Sequence, residues 1–80
     1  MVKAAYNANP QWDADKILAL RMHLGLTQRE MSDKLGTRQQ TISEWETGMY
    51  RPRGTSATLL SMIAEQARFQ YDATAKRMQT

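Results

Sequence analysis

The apolar side chains of this sequence recur at the spacing of helices rather than of strands. Leu20 and Leu24 follow Ile17 at i+3 and i+7, which places all three on one face of a helix. Gly25 then supplies a residue that tolerates the left-handed conformation in which helices commonly end. The pattern predicts a first helix over residues 14–24.

A second helix carries local signals at both of its ends. Thr27 and Glu30 have the spacing of a capping box, in which the hydroxyl and the carboxylate each satisfy a free backbone N–H group. Gly36 is placed to end the helix a little over two turns later. We therefore predict a short helix over residues 28–35.

The same arrangement recurs directly afterwards. Thr37 and Gln40 have the spacing of another capping box, and Ile42 and Trp45 form an apolar edge at i and i+3. The predicted third helix spans residues 38–47, with Ile42 and Trp45 as its core anchors. Because only a glycine and a capping threonine separate the second and third helices, the two must cross, at roughly 90–120°.

The remainder of the chain predicts a loop, a fourth helix and two terminal segments. Residues 49–54 contain proline and glycine, which oppose helix continuation. Thr55 or Ser56 can then cap a fourth helix that ends near Phe69. The predicted chain divides into a flexible N-terminal arm, a helical domain and a C-terminal tail or helix extension: residues 1–11, 12–69 and 70–80.

Composition narrows the classes of function. Eighty residues predict a single domain, since at about 100–200 residues per domain the length leaves no room for two. The chain has no cysteine and one histidine, His23, so disulfides, thiolate metal sites and histidine-based catalysis lack their residues. We therefore expect no enzymatic activity, no cofactor and no metal. Three methionines at helical positions are predicted to fill the core: Met22, Met31 and Met62.

Hydropathy and charge bear on location and partners. The apolar runs are far shorter than the roughly 20 residues needed to cross a bilayer, and the N-terminal residues lack the apolar segment of a signal peptide. We expect no membrane contact and a cytoplasmic location. Eleven Lys and Arg residues against eight Asp and Glu residues give a net charge of +3, which permits an anionic partner without identifying one.

The outward face of the predicted third helix differs from that of a merely solvated helix. Solvated helices commonly carry Glu/Lys pairs at i, i+4, whereas this helix begins Arg-Gln-Gln-Thr over residues 38–41. Glutamine amides match the N6 and N7 atoms of adenine in the major groove. Arg38 can reach phosphate or guanine, and Glu44 can accept a hydrogen bond from N4 of cytosine. The alternative interpretation is an ordinary polar surface helix.

The stretch from residue 26 to residue 48 contains many residues whose type and spacing match a known motif: Leu26-Thr27-Gln28, Ser32, Leu35-Gly36, Ile42, Trp45, Glu46 and Gly48. With these positions it resembles the helix-turn-helix of the lambda-type phage repressor and Cro family, also called XRE-type regulators. The likeness extends back to Leu20-Arg21 and forward through Arg51-Pro52-Arg53. Gly54 and Ser56 further resemble a subgroup found in antitoxins of toxin–antitoxin pairs.

The resemblance implies an all-α fold, a compact bundle of four or five helices with the third helix in the major groove. The base contacts that we expect are Gln39, Gln40, Ser43 and Glu44. The expected phosphate contacts are Gln28, Arg38, Thr41, Arg51 and Arg53.

Three further roles follow from the same resemblance. Arg21 and Glu46 match a buried ion pair that ties the first helix to the third. Gln28 matches a position that also braces the first recognition glutamine, here Gln39. Glu44 departs from relatives that hold a neutral side chain at its position, and its charge either repels phosphate or selects cytosine.

Two functions from different classes remain open. The first is a sequence-specific regulator of transcription, a repressor or an antitoxin-type autoregulator. It would dimerise on a pseudo-palindromic DNA operator, because one unit makes few base contacts. The alternative is a protein-interaction module, such as an antitoxin that chiefly binds a toxin through the fourth helix and the tail. The candidate dimer surfaces are the Met49–Tyr50 loop and the region from the fourth helix to the tail.

Overall fold

A computed structural model describes residues 12–71, which form four helices and no strand. The helices are α1 (Ala14–Leu24), α2 (Gln28–Leu35), α3 (Gln39–Thr47) and α4 (Thr55–Gln66). The predicted all-helical class is confirmed, and the bounds of α1 and α2 coincide with the predicted ones. The predicted N-terminal arm and residues 72–80 of the predicted tail lie outside the described residues.

The start of α1 is tied both to its own backbone and to α4. The Asp13 carboxylate accepts a hydrogen bond from the backbone N–H of Lys16 at 2.9 Å, which caps the helix. Trp12 is buried, and its indole Nε1 donates to Ser61 Oγ at 2.9 Å. The Lys16 ammonium lies 4.5 Å from the centre of the Trp12 ring. These contacts attach the N-terminal end of α1 to the middle of α4.

The capping box predicted for α2 is present in full. The backbone N–H of Glu30 donates to Thr27 Oγ1 at 3.0 Å, and the backbone N–H of Thr27 donates to Glu30 Oε1 at 2.9 Å. At the other end Gly36 adopts a φ of 72°, which a side-chain-bearing residue rarely does. Local sequence therefore sets both ends of this eight-residue helix.

The prediction of a second capping box, formed by Thr37 and Gln40, is wrong. The N-cap of α3 is Arg38, whose backbone is extended and whose side chain makes no capping bond. Thr37 belongs to the C-terminal cap of α2, because its backbone N–H donates to the carbonyl of Ser32 at 2.9 Å. The helix therefore begins at Gln39, one residue later than predicted.

Replacement of Thr27 by alanine is expected to lower the free energy of unfolding by about 1 kcal/mol, because the backbone N–H of Glu30 loses its capping acceptor. In a domain of this size that corresponds to a fall in Tm of about 4–8 °C, which thermal denaturation followed by circular dichroism measures. Thr37→Ala is the matched control, since the Thr37 hydroxyl makes no capping bond. Equal losses in the two variants would contradict the assignment of the caps.

Both ends of α4 differ from the prediction. Its N-cap is Gly54 rather than Thr55 or Ser56. Its last residue is Gln66 rather than a residue near Phe69, because Arg68 adopts a φ of 56° and turns the chain. The backbone N–H of Phe69 then donates to the carbonyl of Ala64 at 2.9 Å, and the Phe69 ring packs on the core. The helix consequently does not continue into the first residues of the predicted tail.

One core joins all four helices. Its buried members are Trp12, Ile17, Leu20, Met31, Ile42, Trp45, Leu60 and Ala64. Met31 is buried as predicted, but the predictions for Met22 and Met62 are wrong, since these residues are 66% and 51% exposed. Each follows a fully buried leucine by two positions, and two residues correspond to about 200° around a helix. Their side chains therefore lie on the outer faces of α1 and α4.

Candidate nucleic-acid interface

The position of α3 is set by its two anchors. Ile42 is fully buried and Trp45 nearly so, both in the common core. Helices α2 and α3 are separated by the short stretch from Gly36 to Arg38, and they pack closely against each other. Because one side of α3 is buried in the core, its opposite side faces solvent.

Several of the polar residues predicted to contact DNA belong to α3 or its N-cap. Gln39 and Gln40, in its first turn, are exposed, as is Arg38 at its N-cap. Thr41, Ser43 and Glu44 are partly buried. The N-terminal end of α3 therefore presents two amides and a guanidinium together, and these groups can hydrogen-bond to base edges and phosphates.

An ion pair connects the C-terminal half of α1 to the last turn of α3. Arg21 Nε lies 2.7 Å from Glu46 Oε2, and a second guanidinium nitrogen donates to Glu46 Oε1 at 3.0 Å. Arg21 also donates to the carbonyl of Leu26 at 3.0 Å. The two side chains are only 16% and 7% exposed. The structure thus brings together Arg21 and Glu46, so the Glu46 charge is satisfied within the protein.

The environment of the Glu46 carboxyl has opposing effects on its pKa. Burial raises the pKa, but the hydrogen bonds from Arg21 and Gln28 and the charge of Arg21 lower it by more. The net pKa lies below the usual value for a glutamate. The hydrogen bond to Glu46 raises the pKa of Arg21. Both groups are therefore charged at neutral pH.

Gln28 does not brace Gln39 in this structure, contrary to what the resemblance implied. Its amide Nε2 instead donates to Glu46 Oε1 at 3.0 Å. The carboxylate of Glu46 already lies in the interhelical space, so the nearest strong acceptor takes the amide hydrogen. Gln28 thereby links the first turn of α2 to the ion pair. Sequence reasoning missed this link, because Gln28 and Glu46 are 18 positions apart and no local pattern joins them.

The loop after α3 holds two arginines outward. Arg51 and Arg53 are exposed, whereas Pro52 between them is buried. A buried proline fixes the backbone of the loop, because its ring locks φ. Both cations therefore lie on a stiffened segment between α3 and α4, and they have the reach and charge that phosphate contact requires.

The loop also carries two exposed apolar side chains. Met49 is 64% exposed and Tyr50 is 59% exposed. The backbone N–H groups of both residues donate to the carbonyl of Glu44, which fixes them to the end of α3.

Other kinds of site find no support in the described part of the chain. Residues 12–71 contain no group of three His, Cys, Asp or Glu side chains that could hold a metal ion. None of the four helices is both long enough and apolar enough to cross a membrane. His23 has a structural contact, because its Nε2 lies 2.9 Å from the carbonyl of Ala67 at the end of α4.

Comparison with known proteins identifies the family of this arrangement. A family model described as helix-turn-helix matches residues 17–64, which is more than half of the chain and includes the whole of α2 and α3. No curated protein and no solved structure gives a significant match. The matched residues include the ion pair, the two anchors of α3 and the exposed glutamines. The chain therefore belongs to the XRE or lambda repressor type of helix-turn-helix proteins, a DNA-binding family.

Proposed function

We propose that this protein is a transcription regulator that recognises a specific double-stranded DNA sequence by placing α3 in the major groove. One observation carries the proposal. The inner side of α3 is held in the core by Ile42 and Trp45, while Gln39 and Gln40 at its N-terminal end remain exposed. A helix anchored in this way can present those amides to base edges without unfolding any part of the described domain.

The residues divide into two roles. Base contacts specify sequence, and phosphate contacts position the protein and give it affinity. We assign base contacts to Gln39, Gln40, Ser43 and Glu44. We assign phosphate contacts to Gln28, Arg38, Thr41, Arg51 and Arg53. One N–H of the Gln28 amide donates to Glu46. Because the amide oxygen and the phosphate oxygens are all acceptors, the phosphate contact requires the second N–H of the amide.

The regulator would act by occupying a promoter, as a repressor or an antitoxin-type autoregulator. A homodimer on a pseudo-palindromic operator is expected, with half-sites about 34 Å apart or a multiple of that distance. The exposed Met49 and Tyr50 support a dimer contact, since they lie directly after α3 and would otherwise remain in water. A cytoplasmic location is part of the same proposal and is consistent with DNA as the partner.

A protein-interaction module, such as an antitoxin that chiefly binds a toxin, is the second candidate. An open apolar groove of about 310 Å³ offers a surface for a partner, but it lies on α1 and the start of the tail rather than on α4; it is lined by Asp15, Leu18, Ala19, Met22 and Tyr71. Tyr71 belongs to the start of the predicted tail. Capture of a co-encoded protein through α4 and the tail, without binding of any DNA fragment, would favour this candidate over the regulator.

Two substitutions separate sequence choice from affinity. Gln39→Ala is expected to weaken binding to the selected DNA site by about 1–3 kcal/mol and to relax the base preference at one position. Arg51→Ala is expected to weaken binding to all sequences alike and to reduce the salt dependence by about one phosphate contact. Binding to selected and scrambled duplexes at several salt concentrations measures both effects.

Matched controls exist for each change. Gln66→Ala removes an exposed glutamine at the end of α4, and Lys34→Ala removes an exposed cation in the last turn of α2. Both should bind DNA as the unmodified protein does. Equal losses on selected and scrambled DNA for Gln39→Ala would overturn its role in base recognition.

A further inference from the structure

The side chains of Gln40 and Glu44 are joined on the outer face of α3. Gln40 Nε2 donates to Glu44 Oε2 at 3.1 Å, across one turn of the helix. A carboxylate only accepts hydrogen bonds, so the amide must turn its NH₂ group toward Glu44 and its oxygen away. The contact therefore orients both side chains at once.

The carboxylate of Glu44 retains unused capacity to accept hydrogen bonds. Within residues 12–71 no donor reaches its Oε1, and no basic side chain pairs with it. Glu46, two positions further, differs because Arg21 satisfies it. A charge that loses its water in an interface is costly unless a new donor replaces that water. Glu44 in the major groove thus requires a donor from the DNA itself.

The base edges of the major groove differ in what they offer to a carboxylate. Guanine presents the acceptors N7 and O6, and thymine presents the acceptor O4, so both repel an oxygen that can only accept. Adenine pairs its N6 donor with the N7 acceptor beside it, whereas the cytosine edge offers the N4 donor. Cytosine is therefore the base that suits the free oxygen of Glu44.

We infer that Gln40 and Glu44 act as one unit that selects cytosine at one position of the DNA site. Glu44 accepts the hydrogen bond from cytosine N4, and Gln40 positions the carboxylate for it. The inference rests on the proposed function, because it requires α3 in the major groove. It also combines the two roles considered for the Glu44 charge, repulsion of DNA and selection of cytosine. The charge weakens binding to sites that offer no hydrogen-bond donor, and at cytosine the N4 donor replaces the water that the carboxylate loses.

Selection from a random duplex library tests the inference with three proteins. The unmodified protein and Glu65→Gln, which removes an exposed carboxylate from α4, should both select cytosine at the same position. Glu44→Gln should still bind DNA but lose this preference. The Kd for a site without that cytosine, divided by the Kd for the site with it, should fall from about 10 in the unmodified protein to near 1 in Glu44→Gln. Glu44→Gln should also bind scrambled duplexes more tightly than Glu65→Gln does.

A fourth and a fifth variant test the positioning role of Gln40. Gln40→Ala should reduce the cytosine preference when Glu44 is present. In the Gln40→Ala/Glu44→Gln double variant the preference at that position should equal that of Glu44→Gln alone, since coupled residues do not act additively. Fully additive losses would contradict a joint unit. Circular dichroism spectra identical to that of the unmodified protein would show that each variant is folded.

The outcomes separate the inference from the function on which it depends. If the unmodified protein selects a defined site but Glu44→Gln keeps the same cytosine preference, the inference fails and the DNA-binding function stands. A selected site with an A·T or T·A pair at every position that responds to Glu44→Gln would also overturn it. If the unmodified protein prefers no duplex over another, both fail together.

Discussion

Ile42→Ala is expected to lower the free energy of unfolding by about 3–4 kcal/mol, the typical cost of truncating a fully buried branched side chain. Ile42 packs in the core that all four helices share, so the cavity would lie beneath α3. A domain of this length has a total stability of roughly 4–12 kcal/mol. The variant should therefore be partly unfolded at moderate temperature, which urea denaturation followed by circular dichroism measures.

The neighbouring residue supplies the control for this prediction. Ser43→Ala alters the same helical turn at a partly buried position outside the core, and we expect a change below about 1 kcal/mol. Addition of the selected DNA should raise the Tm of Ile42→Ala, because a ligand of the folded state stabilises it by mass action. A loss under about 1 kcal/mol for Ile42→Ala would contradict the assignment of Ile42 as an anchor.

Removal of Glu46 is the second large expected effect. Glu46→Ala leaves the mostly buried Arg21 without its counter-charge and Gln28 without its acceptor. Breaking a buried pair from one side costs about 3 kcal/mol. The loss should exceed that of Glu65→Ala, which removes an exposed carboxylate from α4. Thermal and urea denaturation of both variants at neutral pH measure the difference.

The ion pair also predicts a direction for the effect of pH. The folded-state pKa of Glu46 lies below its unfolded value, so the folded protein holds the carboxylate in its charged form. The stabilisation is complete above the unfolded pKa of about 4.3 and is lost as the pH falls through the lower folded-state pKa. Glu46→Gln should therefore be less stable than the unmodified protein at neutral pH, and the difference should shrink in acid. A difference that is constant down to the acid transition would contradict the role of this pair.

Several elements were predictable because their signals are local. The bounds of α1 and α2 follow from apolar spacing, one capping box and glycines that adopt positive φ, and each of these depends on residues a few positions apart. The burial of Ile42 and Trp45 follows from helical spacing for the same reason. The exposure of Gln39 is then the geometric consequence, since the two sides of a helix cannot both face the core.

Other features depend on competition between neighbouring helix ends or on packing between helices. The second capping box failed because Thr37 is bound to the end of α2, a competition that spacing alone does not reveal. Met22 and Met62 have helical spacing but lie on outer faces, because the neighbouring helices determine which side of α1 and α4 is covered.

By itself the sequence determined the bounds of α1 and α2, the inner side of α3 and the polar character of its outer side. Only the tertiary structure decided the partners of the polar groups. Gln28 and Glu46 are 18 positions apart, and Arg21 and Glu46 are 25 apart. Such pairs form where packing brings the helices together, whereas a cap or a helical face needs only the geometry of one or two turns.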